Sequence, residues 1–247
     1  MEQHQFIFIG GLHRSGTSIL FRCLSEHHLI SGFENTGVPE DEGQHLQSVY
    51  LPAKAYGGPG KFGFNPEAHL IENSVLINGA NRRKLFCEWK KYWDLEKPVL
   101  LEKSPPNLVR ARFLQQMFPN SYFVIMMRHP VAVAYATQKW TNSSITCLIE
   151  HWLVCHETFE VDKTYLNRLL TLKYEDFVAS PRACLASIYA FLGLKDHSNS
   201  LEVRADENVK YLVKWSEHQK SPSGCDEVIS IKEKYGERIV HFGYTLN

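Results

Sequence analysis

The sequence predicts an α/β fold in which a central, mostly parallel sheet lies between two layers of helices. Three observations carry this. Short apolar runs at Phe6–Ile9, Pro98–Leu101, Ser121–Met127 and Leu169–Tyr174 have strand length, and their unbroken apolarity suits strands buried on both faces. Each run is followed by residues whose apolar positions recur at helical spacing. The first run is joined to its helix by a glycine-bearing loop, an arrangement of parallel-sheet proteins. At 247 residues the chain suits a single domain over 1–247.

Taken in order, Phe6–Ile9 ends at Gly10-Gly11, and a helical pattern starts after Thr17-Ser18 with Ile19, Leu20, Cys23 and Leu24. Strand, loop and helix in this order aim backbone N–H groups and a helix N-terminus at one point, where an anion sits. Ser15, Gly16, Thr17 and Ser18 supply amides and hydroxyls, and Arg14 supplies a positive charge. The loop is P-loop-like without being a nucleotide triphosphatase loop. Gly11 and Gly16 have the GxxxxGK[ST] spacing, but Thr17 stands in place of the lysine. The strand Tyr122–Met127 runs into Arg128, where a hydrolase of that class keeps the aspartate of its magnesium site. Binding without metal is therefore expected.

Leu29–Phe33 reads as a second strand, and Glu34, Glu40, Asp41 and Glu42 follow beside His45. Acids just beyond a parallel strand lie at the ligand side of the sheet, where a general base is wanted; a solvated surface is the plainer alternative. Helices are expected at Glu67–Asn78 and Arg83–Trp93. Residues 35–97 as a whole read as an insertion building the acceptor pocket, with Tyr50, Tyr56, Phe62, Phe64, Trp89 and Trp93 as candidate walls or plain core.

Pro98–Leu101 runs into Glu102-Lys103-Ser104-Pro105-Pro106, leaving Lys103 at a strand's C-terminal edge before a helix at Asn107–Phe118. Ser121–Met127, the most apolar strand, is expected at the sheet centre. Arg128 at its end, beside a helix opened by Pro130, makes a second anion site. Ile145–Phe159 is an amphipathic packing helix, and Ser180-Pro181 opens a helix over Arg182–Leu192. Residues 195–247 form a helical C-terminal segment, from which Lys210 or Lys214 is a candidate to close over a bound nucleotide.

Composition removes several classes. Twenty-seven basic residues balance twenty-seven acidic ones, so no overall field points to nucleic acid or a membrane surface. No apolar run reaches the roughly twenty residues of a membrane span. The first strand begins at Phe6, so no leader is expected, and the six cysteines without a CxxC pair read as reduced core thiols of a cytoplasmic protein. Cys147, His151 and Cys155 share one helical face, but a straight line of three ligands cannot surround a tetrahedral zinc.

Four segments together resemble the sulfotransferases that use 3′-phosphoadenosine 5′-phosphosulfate (PAPS), especially the tyrosylprotein branch and its bacterial relatives. HRSGTS resembles the family's 5′-phosphosulfate loop PRSGTT, and EKSPPN (102–107) its lysine-bearing segment. MRHPVAVAYATQKW, from Met127, resembles the 3′-phosphate segment, and LKYEDFVASPRACLASIYAFLGL, from Leu172, the unit on which adenine rests. The resemblance runs from residue 5 to residue 194.

That resemblance implies sulfuryl transfer from PAPS, with 3′,5′-bisphosphoadenosine (PAP) as product, to a hydroxyl or amine, without metal; the relatives that sulfate proteins and glycans act in secretory compartments, so the expected lack of a leader points instead to a small-molecule acceptor. Arg14 and Lys103 would neutralise the leaving oxygen, and residues 15–18 would hold the 5′-phosphate. Arg128 would hold the 3′-phosphate, and Tyr174 would lie near adenine. The family's serine downstream of that arginine is Ala136 here, with Thr137 or Lys139 as substitute donors. The family's carboxylate aligns with Glu34-Asn35, which ranks Glu34 first as base and Glu42 and His45 as substitutes. The acid cluster suggests a cationic acceptor, and the oligomeric state is open. A kinase-like phosphotransferase and a non-catalytic nucleotide-binding protein are the alternatives.

Overall fold

The computed structural model describes residues 3–247. Five strands form one parallel sheet in the order β2-β3-β1-β4-β5. They are β1 (Gln5–Gly11), β2 (Ile30–Ser31), β3 (Val99–Lys103), β4 (Ser121–Met127) and β5 (Leu169–Lys173). The centre is β1, not β4: Ile7 pairs with Leu101 on one side and Tyr122 on the other. Apolarity could not rank the two, because both strands are buried through their middles. β2 keeps only two residues of the expected Leu29–Phe33 run.

Helices flank the sheet around two apolar cores. One gathers α1 (Thr17–Ser25), α2 (Gly79–Trp89), α3 (Ala111–Met117), α6 (Tyr174–Ala179) and α7 (Pro181–Phe191) about Phe6, Phe8, Trp89 and Phe118. The other gathers α4 (Pro130–Gln138), α5 (Ile145–Asp162), α8 (Val209–Lys220) and α9 (Cys225–His241) about Trp152, Tyr235 and Phe242. Phe8 stacks on Phe123 at 5.6 Å and Trp89 on Phe118 at 5.6 Å, so the first core is largely aromatic. Burying such side chains contributes about 1.5–3 kcal/mol each.

The 35–97 segment departs most from expectation. No helix forms over Glu67–Asn78. A single turn at Pro66–Ala68 is followed by chain tied across the core, where Leu70 N donates to Val109 O at 3.1 Å and Glu72 pairs with Arg112. The next helix starts earlier than Arg83 because Asn78 Oδ1 accepts from Asn81 N and caps it. The expected Asn107–Phe118 helix divides into a 3₁₀ turn at Pro105–Val109 and the shorter α3. Of the six free cysteines only Cys23 and Cys155 are buried, so the core-thiol expectation holds for two.

The connection after β1 leads toward one edge of the sheet and that after β4 toward the other. A crevice opens at such a divergence, over the strands' C-terminal ends.

Candidate functional site

The loop after β1 is shaped by a tight turn. Ser15 N donates to Leu12 O at 3.0 Å, and Ser15 Oγ donates to the same carbonyl at 2.5 Å. The Ser15 hydroxyl therefore closes the turn instead of facing a ligand. Arg14 takes a left-handed backbone, φ 69°, which projects its side chain outward. Gly16 has φ 98°, and a Cβ there would lie 2.4 Å from the Tyr174 ring, so only glycine fits. Gly16 also starts α1 with no side chain capping it and no acid in the first turn. The free N–H groups of that turn suit an anion.

A cleft of about 760 Å³ opens over this loop. It is lined by Arg14, Gly16, Thr17, Ser18, Arg128, Tyr174, Glu207 and Tyr211 together with His13, Glu40, Glu42, Gln44, His45, Lys54 and Gly57–Pro59, and Trp140 adds an exposed ring. The candidate wall aromatics Tyr50, Phe62, Trp89 and Trp93 are core instead, and neither Tyr56 nor Phe64 faces the cleft.

Arg128 is 6% exposed and well held. Its Nη1 donates to Arg14 O at 2.8 Å and its Nε to Asn208 Oδ1 at 2.7 Å, with the guanidinium 4.2 Å from the Tyr174 ring centre. Its Nη2 is buried without a partner, an orphan donor of the kind an anionic ligand satisfies. The start of α4 is not the second anion site expected. There Glu175 Oε1 accepts from His129 N at 3.0 Å, and His129 Nδ1 caps Val131 N. Of the groups at this strand end, Arg128 Nη2 is the donor left without a partner. Thr137 Oγ1 is buried, unpartnered and outside the cleft, whereas Lys139 Nζ lies 5.6 Å from the Tyr211 ring at its edge.

Lys103 sits where β3 pairs with β1, opposite Ile9, yet its ammonium does not reach the cleft surface. It is 1% exposed and donates to Glu40 O at 3.0 Å and Glu42 Oε1 at 3.2 Å. Glu42 Oε2 accepts from Gln44 Nε2 at 2.5 Å and lies 3.9 Å from His45 Nε2. Burial lowers the His45 pKa, with Glu42 opposing the shift. The turn that carries these groups is held from below: Glu102 Oε1 accepts from Gly43 N at 3.0 Å and Ser104 Oγ from Gln44 N at 3.0 Å. Burial pushes Glu102 up from 4.5 to about 7, against hydrogen bonds from Ser104 and Asn107.

The structure thus brings Glu42 and His45 to the cleft, but not Glu34. Glu34 is exposed and lines a separate depression with Asn35 and Asp41. Asp41 accepts from Thr36 N at 2.8 Å and Thr36 Oγ1 at 2.5 Å, which turns it inward to its own loop. Of the four clustered acids only Glu40 and Glu42 face the cleft, and the Glu40 carboxylate accepts from Ser18 Oγ at 3.0 Å. Lys210 pairs with Glu207 and lies 5.3 Å from the Tyr211 ring, both residues of the cleft wall, whereas Lys214 lies over the Tyr135 ring in another depression.

Sequence reasoning did not single out His13, Trp140, Asn208 or Tyr211 for the site. Asn208 and Tyr211 lie beyond residue 194, where no motif guides the reading. His13 carried a usable signal, namely an imidazole inside the phosphate loop. Among the described residues no group of three or more His, Cys, Asp or Glu is placed to hold a metal, and no helix is long and apolar enough to cross a membrane.

Comparison with known proteins adds an independent line. The profile described as "Sulfotransferase family" matches residues 6–198. A protein-tyrosine sulfotransferase 2 from Gallus gallus is 25% identical over 206 residues, covering 78% of this chain and 52% of that protein. This chain therefore spans about half the length of that curated relative. Among solved structures, a sulfotransferase from Alicyclobacillus acidocaldarius aligns with TM-score 0.51 and 19% identity, covering 87% of this chain and 92% of the other. One from Mycobacterium avium aligns with TM-score 0.57 and 12% identity, covering 97% and 77%. At these identities the structural likeness speaks to the fold.

Proposed function

The chain belongs to the sulfotransferase family, and from that premise we propose that it moves a sulfuryl group from PAPS to a hydroxyl or amine of a small-molecule acceptor. The observation that carries this reading is the joining of Arg128 to the Arg14 carbonyl at 2.8 Å, which supports two cations serving one ligand. The α1 N-terminus, Thr17, Ser18 and Arg14 bind the 5′-phosphosulfate. Arg128 takes the 3′-phosphate, its unpartnered Nη2 pointing to a missing anion. Tyr174, against both Gly16 and Arg128, forms the floor beneath the nucleoside.

The transfer runs in line. The acceptor oxygen or nitrogen attacks sulfur, the bond from sulfur to the phosphate oxygen breaks, and the acceptor's proton passes to a base. Glu42 and His45 are the groups in reach of the cleft, in place of Glu34. Charge growing on the leaving oxygen is stabilised by Arg14, and by Lys103 once the 39–42 segment shifts and frees it from Glu40 and Glu42. Arg128 at the end of β4, where a magnesium-binding carboxylate would stand, favours cation-only chemistry. The cationic acceptor suggested by four acids now rests on Glu40 and Glu42 alone. Free cysteines support a cytoplasmic setting.

The test is transfer of label from PAPS to a panel of hydroxyls and amines, read by mass spectrometry, with Arg14→Ala and Lys103→Ala. Loss of one such charge slows turnover by about a hundredfold or more. A kinase-like phosphotransferase would instead require magnesium. A non-catalytic binding protein, a reading the burial of Lys103 favours, would bind PAP and transfer nothing.

A further inference from the structure

His13 occupies the second position of the turn closed by Ser15 N on Leu12 O, and Arg14 holds the third in the left-handed conformation that a type II turn needs. Proline is favoured at that second position, because its fixed φ preorganises the turn. Backbone economy would place a proline there, and this chain places an imidazole. Local choices that run against local preference mark functional positions.

The His13 ring lines the cleft beside Glu42 and His45, and its edge meets the Phe62 ring with centroids 5.8 Å apart. Its Nδ1 is shut off from water and has no hydrogen-bond partner. Burial, with Lys103 and His45 nearby, pushes its pKa down to about 3, so the ring stays neutral and keeps a lone pair to accept a hydrogen bond. Ala53, Gly57, Gly58 and Pro59 add small, apolar stretches to the lining of the same cleft, beside the polar Gln44 and Lys54.

We propose that His13 is an acceptor-binding residue that selects a molecule carrying a hydroxyl or amine on an apolar body, by accepting a hydrogen bond from that group within the acceptor half of the cleft. The inference rests on the sulfuryl-transfer reading and assigns a specificity element within it. Nδ1 is closed to water and so to the cleft, and the ring's other nitrogen, Nε2, is the one that a hydroxyl or amine in the cleft meets.

The test uses 4-nitrophenol as probe on the wild type, His13→Pro and His13→Gln. Proline suits the turn and glutamine keeps an acceptor oxygen, so both variants are expected to fold. Binding of the phenol is titrated with and without PAP, and the melting shift given by PAP is recorded separately. The expected result is saturable phenol binding to the wild type, weakened about tenfold or more by His13→Pro and restored to within about threefold by His13→Gln, with the PAP shift unchanged in all three. Equal phenol affinity in wild type and His13→Pro, no rescue by glutamine, or no saturable binding to the wild type would overturn the proposal. Loss of the PAP shift in the wild type would instead count against the donor reading, and the titration without nucleotide would still report on His13.

Discussion

The Arg128 guanidinium donates from Nη1 to the backbone carbonyl of Arg14 at 2.8 Å, so the end of β4 grips the loop at the end of β1. The two arginines consequently fail in different ways. Arg14→Ala keeps its carbonyl and loses only an exposed cation over Trp140, a contact of about 0.5–1 kcal/mol. Arg128→Ala removes charged hydrogen bonds to Arg14 O and Asn208 Oδ1, and should lower unfolding free energy by about 2–4 kcal/mol. Chemical denaturation of both variants checks this. Equal stability would show that Arg128 does not hold the loop.

Glu42 and His45 face the cleft and Glu34 does not. Glu42→Gln or His45→Ala is expected to cut sulfate transfer by about a hundredfold for whichever is the base, while Glu34→Gln stays within about twofold of wild type. Initial rates with labelled PAPS decide it. A collapse confined to Glu34→Gln would return the role to that residue.

The Glu40 carboxylate accepts from Ser18 Oγ, a hydroxyl at the start of α1, and Glu40 holds a left-handed backbone at φ 53°. It competes with an incoming phosphate for the same donor. Glu40→Ala should therefore tighten PAP binding several-fold, by calorimetric titration, because relief of one competing contact is on the order of 1 kcal/mol. Weaker binding would mean that the side chain helps hold the ligand.

Glu102 makes stability depend on pH. Its pKa stands at about 7 in the folded protein against 4.5 for an ordinary glutamate. Between those values the folded form holds a proton that the unfolded chain has released. Stability therefore falls as pH rises through this window, by at most about 1.4 kcal/mol per pH unit for this one group. Glu102→Gln should remove that part of the slope. Denaturation midpoints of wild type and variant from pH 4.5 to 8 provide the comparison, and parallel curves would refute the shift.

Buried histidines act in the opposite sense. His151 is pushed down to about 3 and His156 to about 4, both chiefly by burial, from an ordinary 6.5. Below pH 6.5 the unfolded chain takes up protons that the folded protein refuses. Stability is then lost as pH falls toward 4, and His156→Gln should flatten the loss. An unchanged acid limb would show that His156 protonates without unfolding.

Legibility from the sequence followed the sheet. β4 was bounded correctly at Ser121–Met127, and the strand-end positions of Arg128 and Lys103 followed from parallel-sheet geometry. Strand order was not legible, because apolarity reports burial on both faces and not position in the sheet: β4 is the more apolar strand, yet β1 is central. The 35–97 segment misled because its apolar residues pack a loop onto the core through partners far along the chain, such as Arg112 and Val109, which periodicity does not reveal. Within the site, Asn208 was hidden for the same reason, since it touches Arg128 across eighty positions of sequence.

Ligand-dependent melting tests the central claim most directly: one adenosine bearing phosphates at both ends is gripped by Arg14 and Arg128 together. PAP should raise the melting temperature of the wild type well above the shift given by ATP, and Arg128→Ala should abolish that difference while Arg14→Ala reduces the shifts from both nucleotides. Equal shifts from PAP and ATP in the wild type would contradict it.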